Sequence, residues 1–131
     1  MKVPQTPERK NAEQQALDVE IAFLEGIIRR DADYIEALQS LGDLYTKRGR
    51  IEDGLRVDLK LAELRPADPL VFYNLACSYS LANQIDPAFD ALRKAMKFGY
   101  TDWKFLSEDS DLENLRKDPR FPTWIAPKKS V

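Results

Sequence analysis

Two short stretches decide how this chain folds: Leu38-Gln39-Ser40-Leu41-Gly42-Asp43-Leu44-Tyr45 and, 34 residues further on, Phe72-Tyr73-Asn74-Leu75-Ala76-Cys77-Ser78-Tyr79. In each, a large apolar residue is followed by a leucine at i+3, a small residue at i+4 and a tyrosine at i+7. That spacing lays one face along a helix. Gly42 and Ala76 are the small members, and they leave room for a neighbouring helix to approach. Each helix then meets a stop. Gly49 favours the left-handed conformation that ends helices, and Asn83 stands at the same place one period later.

Working outward, residues 35–68 laid over 69–102 match at Leu41/Leu75, Tyr45/Tyr79, Ile51/Ile85, Lys60/Lys94 and Asp68/Asp102. A second helix is expected after each stop, packing Ile51 or Ile85 just ahead of it. These helices carry Gly54, Leu55, Leu59 and Leu61, then Ala88, Leu92 and Ala95. Asp86-Pro87 reads as an N-cap followed by a first-turn proline, and Pro66 and Pro69 punctuate the junction between the units. A fixed period of this length points to stacked helical hairpins.

These residues resemble the tetratricopeptide repeat (TPR), whose signature is an aromatic, a leucine–glycine pair and a tyrosine, then a small–aromatic pair and a closing proline. The match is strong in the first helix of each unit and weaker in the second. Asp58 stands where the pattern has an aromatic, Leu61 where it has alanine and Tyr100 where it has proline. The resemblance implies an all-α fold: a short right-handed α-solenoid of antiparallel helix pairs with a C-terminal capping segment. The later stretch Asp109-Ser110-Asp111-Leu112, Leu115-Arg116 and Asp118-Pro119-Arg120-Phe121 resembles a recurring bacterial end to a TPR array, which implies a terminating segment and a bacterial source.

On this reading residues 1–11 form a flexible arm and 12–125 one helical domain. That domain comprises a leading half-repeat (12–34), two repeats (35–68 and 69–102) and a capping segment (103–125), with a tail at 126–131. Residues 12–30 read as one helix carrying two apolar stripes, Leu17/Ile21/Leu24/Ile28 and Val19/Phe23/Ile27. So wide a face is expected to pack on the first repeat and on something else. In the capping segment Asp102 is expected to cap a helix from Trp103, and Ser110 or Asp111 one from Leu112. Leu106, Leu112, Leu115, Phe121, Trp124 and Ile125 would cover the open end that every repeat array must close.

Composition limits the function. The 131 residues hold no histidine and one cysteine, Cys77. The commonest general base and metal ligand is therefore missing, and neither an internal disulfide nor a thiolate-rich metal site can form. No phosphate-cradling glycine loop or nucleophile elbow occurs, so no enzyme activity, cofactor or metal is expected. A net charge of −2 argues against a dedicated nucleic-acid binder. The short basic runs Lys47-Arg48-Gly49-Arg50 and Lys128-Lys129 read as solvated loops. No apolar run is long enough to span a membrane, and the N-terminus lacks a signal-peptide core, so the expected location is cytoplasmic.

What remains is binding to a protein or peptide. In the TPR resemblance the first helices line a concave groove, and the side chains off the core stripe meet the ligand. Here those are Glu36, Gln39, Ser40 and Asp43 from the first unit and Tyr73, Asn74, Cys77 and Ser80 from the second. Tyr73 is the expected anchor, the alternative being that it packs against Gln39 or the end segment, with Cys77 read first as a small buried hydrophobe. A carboxylate clamp of the kind some TPR proteins use is not expected. Only Asn74 matches it, Glu36 and Ser40 hold its lysine and asparagine places, and Glu108 stands where arginine is needed. The alternative function is a structural subunit, homo- or hetero-oligomeric, that assembles through its N-terminal helix and capped end.

Overall fold

The computed structural model describes residues 6–121, and within them every regular element is helical. The elements are α1 (Pro7–Arg30), α2 (Ile35–Arg48), α3 (Ile51–Leu64), α4 (Pro69–Leu81), α5 (Ile85–Lys97), α6 (Trp103–Glu108), a 3-10 turn (Ser110–Leu112) and α7 (Glu113–Arg116). They group into two compact units that part between Val57 and Asp58, within α3. The tail at 126–131, Trp124 and Ile125 lie outside the described residues, as do Lys128 and Lys129.

In the first unit α1 starts at Pro7, so residues 7–11, expected in a flexible arm, are helical. The local reason is a cap: Thr6 is extended, its hydroxyl accepts from the Arg9 N–H at 3.1 Å, and Pro7 needs no donor partner at the first helical position. Arg29 and Arg30 lie in the last turn, where cations suit the helix dipole. Ile21 packs with Leu41, Leu44 and Tyr45 of α2, and Leu17, Leu24, Ile28 and Val57 close around them. The α1–α2 link, Asp31 to Tyr34, is too short to carry the chain back along α2, so the two helices run antiparallel.

Three side chains brace this unit. The Tyr45 hydroxyl donates to Glu25 of α1 at 2.5 Å, and the Arg50 guanidinium sits 4.7 Å above the Tyr45 ring. Arg50 also lies 3.6 Å from Glu25 and 2.8 Å from Asp53. Arg48 pairs with Asp18 of α1 at 2.8 Å. Two cations of the basic run 47–50 are therefore engaged inside the unit. Gly54 of α3 faces α2. A Cβ placed there would lie 3.6 Å from Tyr45 Cβ and 3.8 Å from the Gly42 carbonyl oxygen.

In the second unit Asp68 caps α4, accepting from the Leu70 N–H at 2.9 Å, with Pro69 at the first helical position. The expected Asp86 cap on α5 is corrected. The helix begins two residues earlier, at Ile85, behind Gln84, which makes no side-chain cap. Asp86 then falls in the first turn and is used otherwise, pairing with Arg120 at 2.7 Å. Phe72, Leu75 and Ala76 of α4 and Ala88, Phe89, Leu92 and Ala95 of α5 form the core. Asp58 is also buried and accepts a hydrogen bond from the Ser78 hydroxyl. A polar pair thus stands where the repeat pattern has an aromatic.

The helix starts keep the sequence period: α2 and α4 begin 34 residues apart, as do α3 and α5, and α6 begins 34 after α4. The turns keep it too. Gly49 (φ 83°) and Asn83 (φ 58°) are both left-handed. The residue after each donates five positions back, Arg50 to Tyr45 and Gln84 to Tyr79, both at 2.8 Å.

Gly54→Ala is expected to raise stability by up to about 1 kcal/mol, since 3.6 Å is an ordinary contact and alanine is the better helix former. Gly54→Leu should overpack the junction and cost about 1–3 kcal/mol. Urea midpoints of the two variants test the sign of each. Tyr45 supplies a pH signature for the first unit. Burial and its bond to Glu25 push its phenol up to about 12 from 10.0. The neutral form is favoured on folding, so this contribution is complete below pH 10 and is lost as pH rises through the folded value. Tyr45→Phe should remove that alkaline loss from the melting-temperature profile.

Candidate protein-binding surfaces

Glu36, Gln39, Ser40 and Asp43 lie at i, i+3, i+4 and i+7 on α2, and all four are exposed or half-buried at the surface. The structure therefore presents them as one open stripe, with carboxylates at both ends. The four residues expected on α4 divide differently. Asn74 is exposed, whereas Tyr73, Cys77 and Ser80 are buried. The expectation that Ser80 faces an open groove is corrected, Tyr73 takes its alternative place against the end segment, and Cys77 is buried as first read: the chain after Gly99 folds back over that face.

Asp109 holds the cover in place. One of its carboxylate oxygens accepts the Tyr73 hydroxyl at 2.7 Å and the Cys77 thiol at 3.7 Å, and the other caps the 3-10 turn through the Asp111 N–H. The expected cap at Ser110 or Asp111 is thus supplied one or two residues earlier. The Tyr73 ring stacks on Tyr100 at 4.4 Å and lies 6.0 Å from Phe105. Burial together with the neighbouring carboxylate drives the Tyr73 phenol and the Cys77 thiol upward, so both stay protonated. Cys77 is consequently a poor nucleophile and a poor metal ligand.

Ser80 is fully enclosed. Its hydroxyl accepts from the Leu115 N–H at 3.3 Å, and its carbonyl accepts from Asn114 at 3.0 Å. Arg116 donates to the Leu106 carbonyl at 3.0 Å, tying α7 to α6. Leu106, Leu112, Leu115 and Phe121 are buried. The Asp118-Pro119-Arg120-Phe121 motif works as a clasp. Asp118 accepts from both the backbone and the side chain of Arg120 at 2.9 Å, and Arg120 reaches across to Asp86 and over the Phe89 ring.

Beside the covered face a pocket of about 350 Å³ remains open. Tyr73 and Tyr100 line it together with Asn74, Asp102, Leu70 and Phe105. Leu70 is 62% and Phe105 51% exposed. Sequence reasoning named Tyr73 and Asn74 but passed over Phe105. The 34-residue offset that aligns Asp102 with Asp68 could have found it, one turn into the next first helix. Among the described residues no cluster of metal-ligating side chains occurs, and no helix is long and apolar enough to cross a membrane.

No protein-family model matches this chain. The chain is similar to a chloroplastic protein of Arabidopsis thaliana, with 35% identity over 96 residues. That alignment takes in 71% of this chain and 27% of the plant protein, so the chain spans about a quarter of its relative's length.

Tyr73→Phe removes the hydroxyl that donates to Asp109 and keeps the ring in place. It should lower stability by about 1–3 kcal/mol, the cost of a partly buried carboxylate losing a partner. An unchanged urea midpoint would show that the Tyr73–Asp109 bond contributes nothing to holding the end segment.

Proposed function

We propose that this chain is a tetratricopeptide-type interaction module, a short right-handed α-solenoid that binds a segment of another protein and carries out no chemistry of its own. The observation that carries the reading is the open pocket over Tyr73 and Tyr100, with Leu70 and Phe105 exposed beside it. Large apolar side chains at the rim of a concavity are costly to leave in water and are what protein partners bury. The 34-residue recurrence of helix starts and left-handed turns supports the TPR assignment. In this reading an apolar side chain of the partner enters the pocket, and Asn74 and Asp102 at the rim bond its backbone. The α2 stripe, with Glu36 and Asp43 at its ends, favours partners that carry basic groups.

Phe105→Ala and Leu70→Ala remove exposed groups, so they should leave the fold intact. Truncating an anchor at an interface commonly costs about 2 kcal/mol, or roughly a 30-fold loss of affinity. Calorimetric titration of a partner co-purified with the wild-type chain measures this. Equal affinity of both variants and the wild type would overturn the pocket assignment.

A further inference from the structure

The outer face of α1 leaves two large apolar side chains in the open. The helix runs 24 residues, about 36 Å, and its inner stripe, centred on Ile21, packs on α2. Val19 and Phe23 project about 160° away from Ile21 on the helical wheel, and each is 69% exposed. They belong to a regular seam. Ala12, Ala16, Val19, Phe23 and Gly26 follow one another at intervals of four, three, four and three residues, the spacing by which one helix meets another. A glycine inside a helix costs about 1 kcal/mol relative to alanine. A Cβ at Gly26 would meet only the far end of Arg29, so packing among the described residues does not require the gap.

We propose that this face of α1 pairs antiparallel with the same face of a second copy. Self-complementarity identifies the occupant. Reversing the seam against itself about its midpoint, between Leu17 and Asp18, sets Phe23 against Ala12 of the second copy and Val19 against Ala16 of the second copy. Large then meets small in every central layer, the alternation that even packing requires. Gly26 falls opposite Arg9 of the second copy, and the missing side chain gives its stem a place to lie. On one edge Glu8 faces Arg29 of the second copy, an opposite-charge pair that occurs twice by symmetry. On the other edge Glu20 faces Glu13 of the second copy, a like-charge contact that weakens the association. Pairing over this length buries on the order of 1,000 Å², the lower end for specific interfaces, as expected of a concentration-dependent dimer. The inference is independent of the pocket over Tyr73, which lies in the other unit.

Sedimentation equilibrium of the full chain tests it, with circular dichroism confirming that each variant is folded. The wild type should pass from monomer to dimer as concentration rises through the micromolar range. Phe23→Ser, at an exposed position, should stay folded and monomeric. Glu20→Lys should tighten the dimer by roughly three- to tenfold, because it turns two repulsive contacts into ion pairs. A wild type that remains monomeric at millimolar concentration overturns the proposal. So does a dimer unaffected by Phe23→Ser. A Glu20→Lys variant that dimerises no better than wild type overturns the antiparallel register.

Discussion

A backbone constraint governs everything else in this molecule: three helices end in the left-handed region. Gly49, Asn83 and Gly99 have positive φ, and in each case the following residue donates to the carbonyl five positions back. That closure satisfies carbonyls that would otherwise be orphaned at the helix end. After α2 and α4 it also turns the chain into the next helix within two or three residues, and α5 packs along α4. Two of the three positions are glycine, for which the conformation carries no Cβ penalty. Asn83 manages with a side chain that tolerates this region better than most.

The third turn has a different outcome. After Gly99 the chain begins a helix in register, with Asp102 capping α6 as Asp68 caps α4. It stops after six residues, where Asp109 takes an extended conformation and starts the 3-10 turn. Asp109 can turn the chain because its carboxylate finds donors on α4, at Tyr73 and Cys77. A short helix that would be marginal alone is held by contacts that a solvated tail would not have. The end segment thus covers the face of α4 that carries Tyr73, Cys77 and Ser80.

Much of this was legible in the residues. The 34-residue offset placed α2 to α5, and the small residues Gly42 and Ala76 marked close approaches. The end segment's leucines and Phe121 announced a cover before its path was known. Three things were not legible. The start of α1 depends on one hydroxyl, Thr6, whose capping role cannot be told from a loop threonine. The start of α5 was not legible because Asp-Pro is a strong cap signal, yet the left-handed turn at Asn83 sets the register two residues earlier. The burial of Ser80, and which of its two readings Tyr73 takes, was hidden for a deeper reason. First-helix positions off the core stripe face a groove only if nothing folds into it, and local periodicity does not say where a distant segment returns.

That return also decides where a partner can bind. To reach Tyr73, Cys77 and Ser80, a ligand would have to displace Leu106, Leu112, Leu115 and Phe121 from their buried sites. Each is worth about 1.5–3 kcal/mol on burial, on the order of 6–12 kcal/mol together, before the bonds to Ser80 and Asp109 are counted. A micromolar complex has only about 8 kcal/mol of binding free energy in all. Displacing the cover thus costs about as much as such a complex gains in all, which on the proposed function favours docking beside this face. The large apolar groups left at such places in the second unit are Leu70 and Phe105, and the cover that removed the expected groove is also what shapes the pocket between them.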